Sequence, residues 1–216
     1  MANSSQFEVA KFGLFGTVAA FFHFVMRDLD EQEKLITREL IRDPRRSDNA
    51  IAEKTNIPGR TVSRKRKRLE QEGIVSYFAA INVLPNGSGR FTARHLYIIK
   101  FRLGMTTERL VNEIKSEPNV KTVFTELIYE SHIAEIDGHV SLVMIIEGKD
   151  DAEIVESFQG KIIPSLHKNH GENSIEEIST IRLLAPIRIK HNYIPMVNMR
   201  DGVIKQDWPD EGIFVA

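Results

Sequence analysis

The sequence contains no cysteine, which excludes disulfide scaffolds, thiolate metal sites and cysteine nucleophiles together. That absence fits a reducing compartment, and the expected location is the cytoplasm. The chain also lacks a charge of one sign. Its formal net charge is −1 over 216 residues, so any affinity for nucleic acid or anionic lipid has to come from a local patch. No apolar run is long enough to span a bilayer. The nearest, Phe12–Met26 (FGLFGTVAAFFHFVM), has 15 residues, against ~20 for a transmembrane helix. Lys11 is a weak basic start and no clear cleavage pattern follows, so a signal peptide is not expected either. Phe12, Phe15, Ala19, Phe22 and Met26 fall at helical spacing. That predicts a helix buried on the body or in an oligomer contact rather than a membrane anchor. An alternative is that Met26 is the natural start, because the recognisable pattern begins just after it.

What is present is ample apolar material, 42% of the residues. That suffices for one large or two small domains. The pattern divides into an apolar N-terminal extension (1–27), a helical segment (28–81), a linker (82–94), an α+β segment (95–185) and a C-terminal extension (186–216). In the helical segment Asp30 stands three residues before Glu33, a capping arrangement for a helix carrying Leu29, Ile36 and Leu40 inwards. Asp43-Pro44 stops that helix. Ser47 caps a second, whose Ile51 and Ala52 point to the core. Asn56-Ile57-Pro58-Gly59 makes a turn, since Asn tolerates a left-handed backbone and Pro cannot continue a helix. A third helix is expected from about Arg60 to Glu72, stopped at Gly73. Ile74–Ile81 then reads as β-like, and Pro85-Asn86-Gly87-Ser88-Gly89 as a turn or linker.

Beyond residue 95 the periodicity changes. Tyr97, Ile99, Phe101 and Leu103 alternate as a strand, and Leu110, Val111 and Ile114 have helical spacing. Val120 to about Tyr129 and His139–Glu147 are the next expected strands. Ile154, Val155, Phe158, Ile162 and Leu166 mark the inner face of a longer helix, and Ile175–Leu184 a last strand. The order βαββαβ is ferredoxin-like, with helices on one face of an antiparallel sheet. In Val140–Ile146 both alternating sets are largely apolar, so the second sheet face also needs cover, which predicts self-association. The C-terminal extension, with Ile194, Val197, Val203, Ile204, Trp208 and an Asp201-Gly202 turn signal, reads as a small hairpin packed on the core, with no function legible in it.

The third helix carries the chemistry. Arg60-Thr61-Val62-Ser63-Arg64-Lys65-Arg66-Lys67-Arg68 holds six cations in nine residues and no acid. Val62 and Leu69 form its inward stripe, which leaves Arg60, Thr61, Ser63, Arg64, Lys65, Lys67 and Arg68 for the outer faces. Like charges at i, i+4 repel, and duplex phosphates relieve that repulsion with release of counterions. Thr61, Ser63 and Arg64 stand near the helix start, where base edges are read. Lys67 and Arg68 suit phosphates, with Arg45 and Arg46 adding phosphate contacts from before the second helix. Double-stranded DNA is the expected partner.

These residues bring the chain close to a known family. Leu29-Asp30, Glu33, Ile36, Leu40, Asp43, Arg45, Ala50-Ile51-Ala52, Thr61-Val62, Arg68-Leu69-Glu70 and Gly73-Ile74-Val75 resemble the leucine-responsive regulatory protein/AsnC (Lrp/AsnC) family of bacterial and archaeal transcription regulators. The second segment resembles that family's ligand-binding and oligomerisation domain. The resemblance implies a winged helix-turn-helix, a β-linker and an αβ-sandwich, assembled as homodimers and often as tetramers or octamers. It also implies control by an amino acid or other small-molecule effector, with no further cofactor. A dimer would present two recognition helices about one DNA turn, ~34 Å, apart. Three positions depart from the pattern. Pro58 replaces the Ser that caps the recognition helix, and Arg66 stands where an apolar residue is common, so its stem is expected to snorkel out. The family's Gly-x-x-Asp loop is Gly138-His139-Val140-Ser141 here. Gly138 and Ser141 are thus the candidate effector residues, without the carboxylate that holds an amino acid.

A rival reading is enzymatic, because a related fold decarboxylates tetrapyrroles of the sirohaem type. His132, His139, His167, His170 and His191 would be its proton donors or ligands, yet no pair has a metal-site spacing with a third ligand in support. The sequence therefore predicts no catalytic and no metal site.

Overall fold

The structure, a computed structural model, describes residues 27–81, 83, 89–116 and 126–215. The apolar Phe12–Met26 stretch, most of the Pro85–Gly89 turn and the first part of the strand expected from Val120 lie outside these residues. Contacts divide the chain into two units: residues up to Phe78 together with Ile187 onwards, and Ala79–Pro186 between them.

The first unit contains three helices, α1 (Glu31–Arg42), α2 (Asp48–Thr55) and α3 (Gly59–Gln71). Their ends follow from local chemistry. The Asp30 carboxylate accepts from Glu33 N–H at 2.9 Å while Glu33 accepts from Asp30 N–H at 3.0 Å, a reciprocal capping box. Ser47 accepts from Ala50 N–H at 3.2 Å to start α2. Asn56, at φ 56°, supplies the left-handed turn out of α2, and Gly73, at φ 69°, the stop after α3. Ile36, Leu40, Ile51, Ile57, Val62 and Leu69 meet in the core, with Leu29, Ala52, Ile74 and Val75 against it. Among the described residues Ile74–Ile81 joins no sheet. A lone segment has no ladder to complete within the chain, so β-like alternation alone does not make it a strand.

In the same unit, residues 187–215 turn back onto α1. They form a two-residue hairpin, β5 (Met199–Arg200) with β6 (Val203–Ile204), around Asp201 and Gly202, both at positive φ. Ile204 and Ile213 are buried.

The second unit is a four-stranded antiparallel sheet in the order β2-β3-β1-β4, with β1 Ala93–Phe101, β2 Ile128–Ile136, β3 His139–Gly148 and β4 Ile175–Leu183. Helix α4 (Thr107–Ser116) follows β1. Helix α5 (Asp151–Ser157) runs through a π turn (Phe158–Ile162) into α6 (Ile163–His170). Tyr97, Ile99, Phe101, Leu142, Met144 and Ile146 pack under Leu110, Ile154, Phe158, Ile162 and Leu166, giving the ferredoxin-like α+β arrangement. Two details correct the sequence reading. The second strand runs Ile128–Ile136, past the Tyr129 at which it was expected to end. Among the described residues it is an edge strand with one neighbour, so its polar half (Glu130, Ser131, His132, Glu135) reaches water and the sequence loses its alternation. Val155 is 42% exposed, because it lies one residue, about 100° of helix rotation, past Ile154 and off the face that Ile154 and Phe158 share.

The outer sheet face carries Leu96 and Ile98 of β1 beside Val143 and Ile145 of β3 and Ile181 of β4. These are half-buried or, for Ile181, exposed. At its margin the Arg94 guanidinium lies 4.2 Å from the Tyr129 ring centroid and donates to Glu147 at 2.5 Å.

Candidate nucleic-acid interface

Helix α3 presents its cations unequally. Val62 and Leu69 are fully buried, as their spacing requires. Arg60, Ser63, Arg64, Lys67 and Arg68 are exposed and Thr61 is half-buried at the first turn. The side chains of Arg60, Arg64 and Lys67 make no hydrogen bond or ion pair among the described residues, so three full charges face solvent. Arg68 uses Nε on Glu72 at 2.8 Å, and its Nη groups take no partner among the described residues.

Lys65 corrects the sequence reading. It lies three residues after Val62 and four before Leu69, on the inward stripe, and is only 9% exposed. Its ammonium is paired with the Asp30 carboxylate, and that contact holds the Asp30 carboxyl below the ordinary range. A lysine spent on the cap of α1 cannot also reach a phosphate.

Arg66 does leave the core, though it stops at protein partners. Nη1 donates to the Arg46 carbonyl at 2.9 Å and to Asp48 Oδ1 at 3.1 Å. Nε donates to Glu70 Oε1 and to the Tyr77 hydroxyl oxygen, each at 3.1 Å. This clamp ties the middle of α3 to the corner before α2 and so brings Arg45 beside the cationic helix. The Arg45 side chain is exposed, with only its backbone N–H engaged, by Asp43 at 2.9 Å. Arg46 is largely buried and ion-paired with Glu39, which removes it from the set of free cations. The acids at Asp48 and Glu70, the latter at i+4, were the available sequence signal for the Arg66 clamp.

At the start of α3, Pro58 offers no side-chain acceptor, and the Thr61 and Val62 N–H groups turn to the Pro58 carbonyl at 2.7 and 3.0 Å. The helix therefore begins correctly without the expected serine. Beneath the interface, Arg27 bridges Glu33 and Glu72 at 2.7 and 2.5 Å and holds both carboxyls below their usual range.

In the sheet unit Gly138 sits at φ 79° beside Asp137 at φ 52°, forming the tip of the β2–β3 hairpin. Ser141 is fully buried, its hydroxyl donating to the His139 carbonyl at 3.3 Å. His139 Nδ1 lies 2.8 Å from the Phe101 carbonyl oxygen and 3.2 Å from Glu176. The other histidines are dispersed. His132 meets Glu130, His170 meets Glu113 and the edge of Phe101, and His191 stacks on Phe214. Among the described residues no three potential ligands converge on a metal site. No helix among them is long and apolar enough to cross a membrane.

Residues 29–76 match the winged helix-turn-helix DNA-binding family. No curated protein matches the chain. Among solved structures, a transcriptional regulator from Neisseria meningitidis in complex with L-Met is 15% identical, with a TM-score of 0.54 over 75% of this chain and 94% of that one. AsnC from E. coli is 16% identical, TM-score 0.52, over 76% and 97%. LrpC from B. subtilis is 19% identical, TM-score 0.51, over 76% and 100%. With its caps, clamp and sheet order, the chain has the AsnC/LrpC fold, a winged helix-turn-helix followed by a ferredoxin-like α+β domain.

Proposed function

We propose that the protein is a sequence-specific, double-stranded-DNA-binding transcription regulator of the Lrp/AsnC type. It acts as a homodimer or a higher assembly in the cytoplasm, and it is not an enzyme. The observation that carries this is the set of unpaired cations on α3 and its neighbouring corner: Arg45, Arg60, Arg64 and Lys67, with the outer part of Arg68. A surface of this kind gains free energy by displacing counterions from a duplex, while the fold offers α3 to the major groove. Arg64, with Thr61 and Ser63, is assigned to base edges, and Arg45, Lys67 and Arg68 to phosphates. Lys65 and Arg46 take no part.

The outer sheet face of Leu96, Ile98, Val143, Ile145 and Ile181 supports pairing with a second copy, since a contiguous apolar face is rarely left to water. The neighbour solved with L-Met supports a small-molecule effector. Gly138 and Ser141 are the residues proposed to meet it, and with no carboxylate at Ser141 the preferred ligand differs from a plain amino acid.

The test is binding to a site selected from random or genomic duplexes. Arg64→Ala should lower affinity and relax preference at one or two base positions. Lys67→Ala should weaken all sequences alike and reduce the salt slope by about one unit. Parent-like binding by both variants would remove α3 from the interface.

A further inference from the structure

The first unit is discontinuous in sequence, and the part supplied from the C-terminus has no assigned role. Among the described residues it grips the C-terminal half of α1. Arg42 is 3% exposed there. Its Nη1 donates to the Lys205 carbonyl at 3.2 Å, and its Nη2 donates to the Trp208 carbonyl at 2.6 Å and to Asp210 Oδ1 at 2.5 Å. The Tyr193 hydroxyl donates to the Ile41 carbonyl at 3.0 Å, occupying one of the acceptors that a helix C-terminus leaves without an intrahelical partner. Asp210 also faces Arg38 at 3.9 Å.

The gripping segment is itself internally wired. Asn198, 1% exposed, accepts from Ile194 N–H at 3.0 Å and donates to the Asn192 carbonyl at 2.8 Å. Asn192 joins the far end by donating to the Phe214 carbonyl at 3.0 Å and accepting from Phe214 N–H at 2.6 Å. A piece with a two-residue hairpin and a single 3-10 turn is too small to hold a fold alone. Its order depends on α1, and the contacts above run both ways.

We propose that residues 187–215 are a strap that completes the helix-turn-helix unit, so that the sheet unit is an insertion tethered to it at both ends. The strap fixes the end of α1, immediately before the corner that carries Arg45 and accepts the Arg66 clamp. Only Leu184–Pro186 separate β4 from the strap. A change in the sheet unit, whether effector or second copy, thus reaches the DNA-binding unit along two covalent routes, one through the linker after α3 and one through the strap onto α1. The folding role of the strap stands without the DNA reading, and its regulatory consequence rests on it.

The experiment is a full-length protein with a specific protease site at Pro186, flanked by Leu184 and Ile187, which are 85% and 75% exposed. After cutting, the C-terminal fragment should co-elute with the remainder under native conditions. Stripping it in mild denaturant and refolding the remainder should speed amide exchange at Glu39–Arg42 about tenfold, the scale of a lost charge-assisted hydrogen bond. In the uncut chain Arg42→Met should give the same acceleration and Arg42→Lys a smaller one, with β1 and β3 amides unchanged. A fragment that separates on cutting while α1 protection stays as it was overturns the strap. So does Arg42→Met without effect on those amides. Lost protection in a protein that never bound DNA, cut or uncut, would leave the strap standing and refute the DNA reading instead.

Discussion

The two units are held together by different means. Among the described residues the sheet unit closes on a cluster of eleven buried apolar residues from two layers, whereas the three helices share a cluster of six, with Ile204 and Ile213 buried in the C-terminal segment of the same unit. The helical unit makes up the difference with charge. Glu33, Glu39, Arg42 and Lys65 are all buried there, each with a partner of opposite sign. Ion pairs fix geometry well and contribute modest net free energy. A small, charge-laced unit suits a surface that must hold exposed cations in register, and a larger apolar unit suits one that must keep its shape while partners change.

The contrast can be broken most directly in the small core. Leu69→Ala should cost about 2–5 kcal/mol and melt the helical unit first, giving two separated transitions by calorimetry. A single joint transition would mean that the units are not energetically distinct. Next in size, Val143→Asp places a carboxylate on the outer sheet face. It should convert the assembly to monomer by measured mass while leaving the fold intact, and an unchanged mass would leave that face without a partner.

Acid should separate the units by its sign and its window. Burial lowers the His170 pKa from its ordinary 6.5, with Glu113 opposing. The folded sheet unit therefore binds fewer protons than its unfolded chain, and stability present above about pH 6.5 declines as pH falls through the folded value. In the helical unit, Asp30, Glu33, Glu72 and Asp210 are held low by Lys65, Arg27 and Arg42. Their contribution is full above about pH 4.5 and is lost only below it. Unit-resolved NMR melts should show the sheet unit softening first, and His170→Phe should erase that early decline. The smallest effect belongs to Lys65→Met. It should change stability by no more than about 1 kcal/mol and leave the salt slope of DNA binding unaltered, in contrast to Lys67→Ala. A reduced slope would return Lys65 to the interface.

Elements whose cause is local were legible in the sequence. Asp30, Ser47, Asn56 and Gly73 each act within four residues of themselves, so caps and turns could be read directly, as could the Val62–Leu69 stripe. Lys65 was misplaced because its charge outweighed its position: three residues from one core residue and four from another puts any side chain inside. The far half of the second strand, Glu130–Ile136, was missed because an edge strand can be half polar, and its pairing with β3 is visible only once the hairpin at Asp137-Gly138 is formed. The grip of Arg42 on Trp208 and Asp210 joins residues more than 160 apart in sequence, and no periodicity reports a contact at that range.

The π turn at Phe158–Ile162 has its own consequence. Ile154, Phe158, Ile162 and Leu166 recur every four residues, and an ordinary helix at 3.6 residues per turn would rotate such a series steadily away from the sheet. The wider turn takes up the surplus and returns Ile162 and Leu166 to the same line. One residue added just after Ile162 would keep the chain helical but, with the surplus already taken up, swing everything after it by about 100°. Leu166 would be turned out of the core and His170 away from Phe101. The spacing of that helix, more than its composition, aims its final histidine.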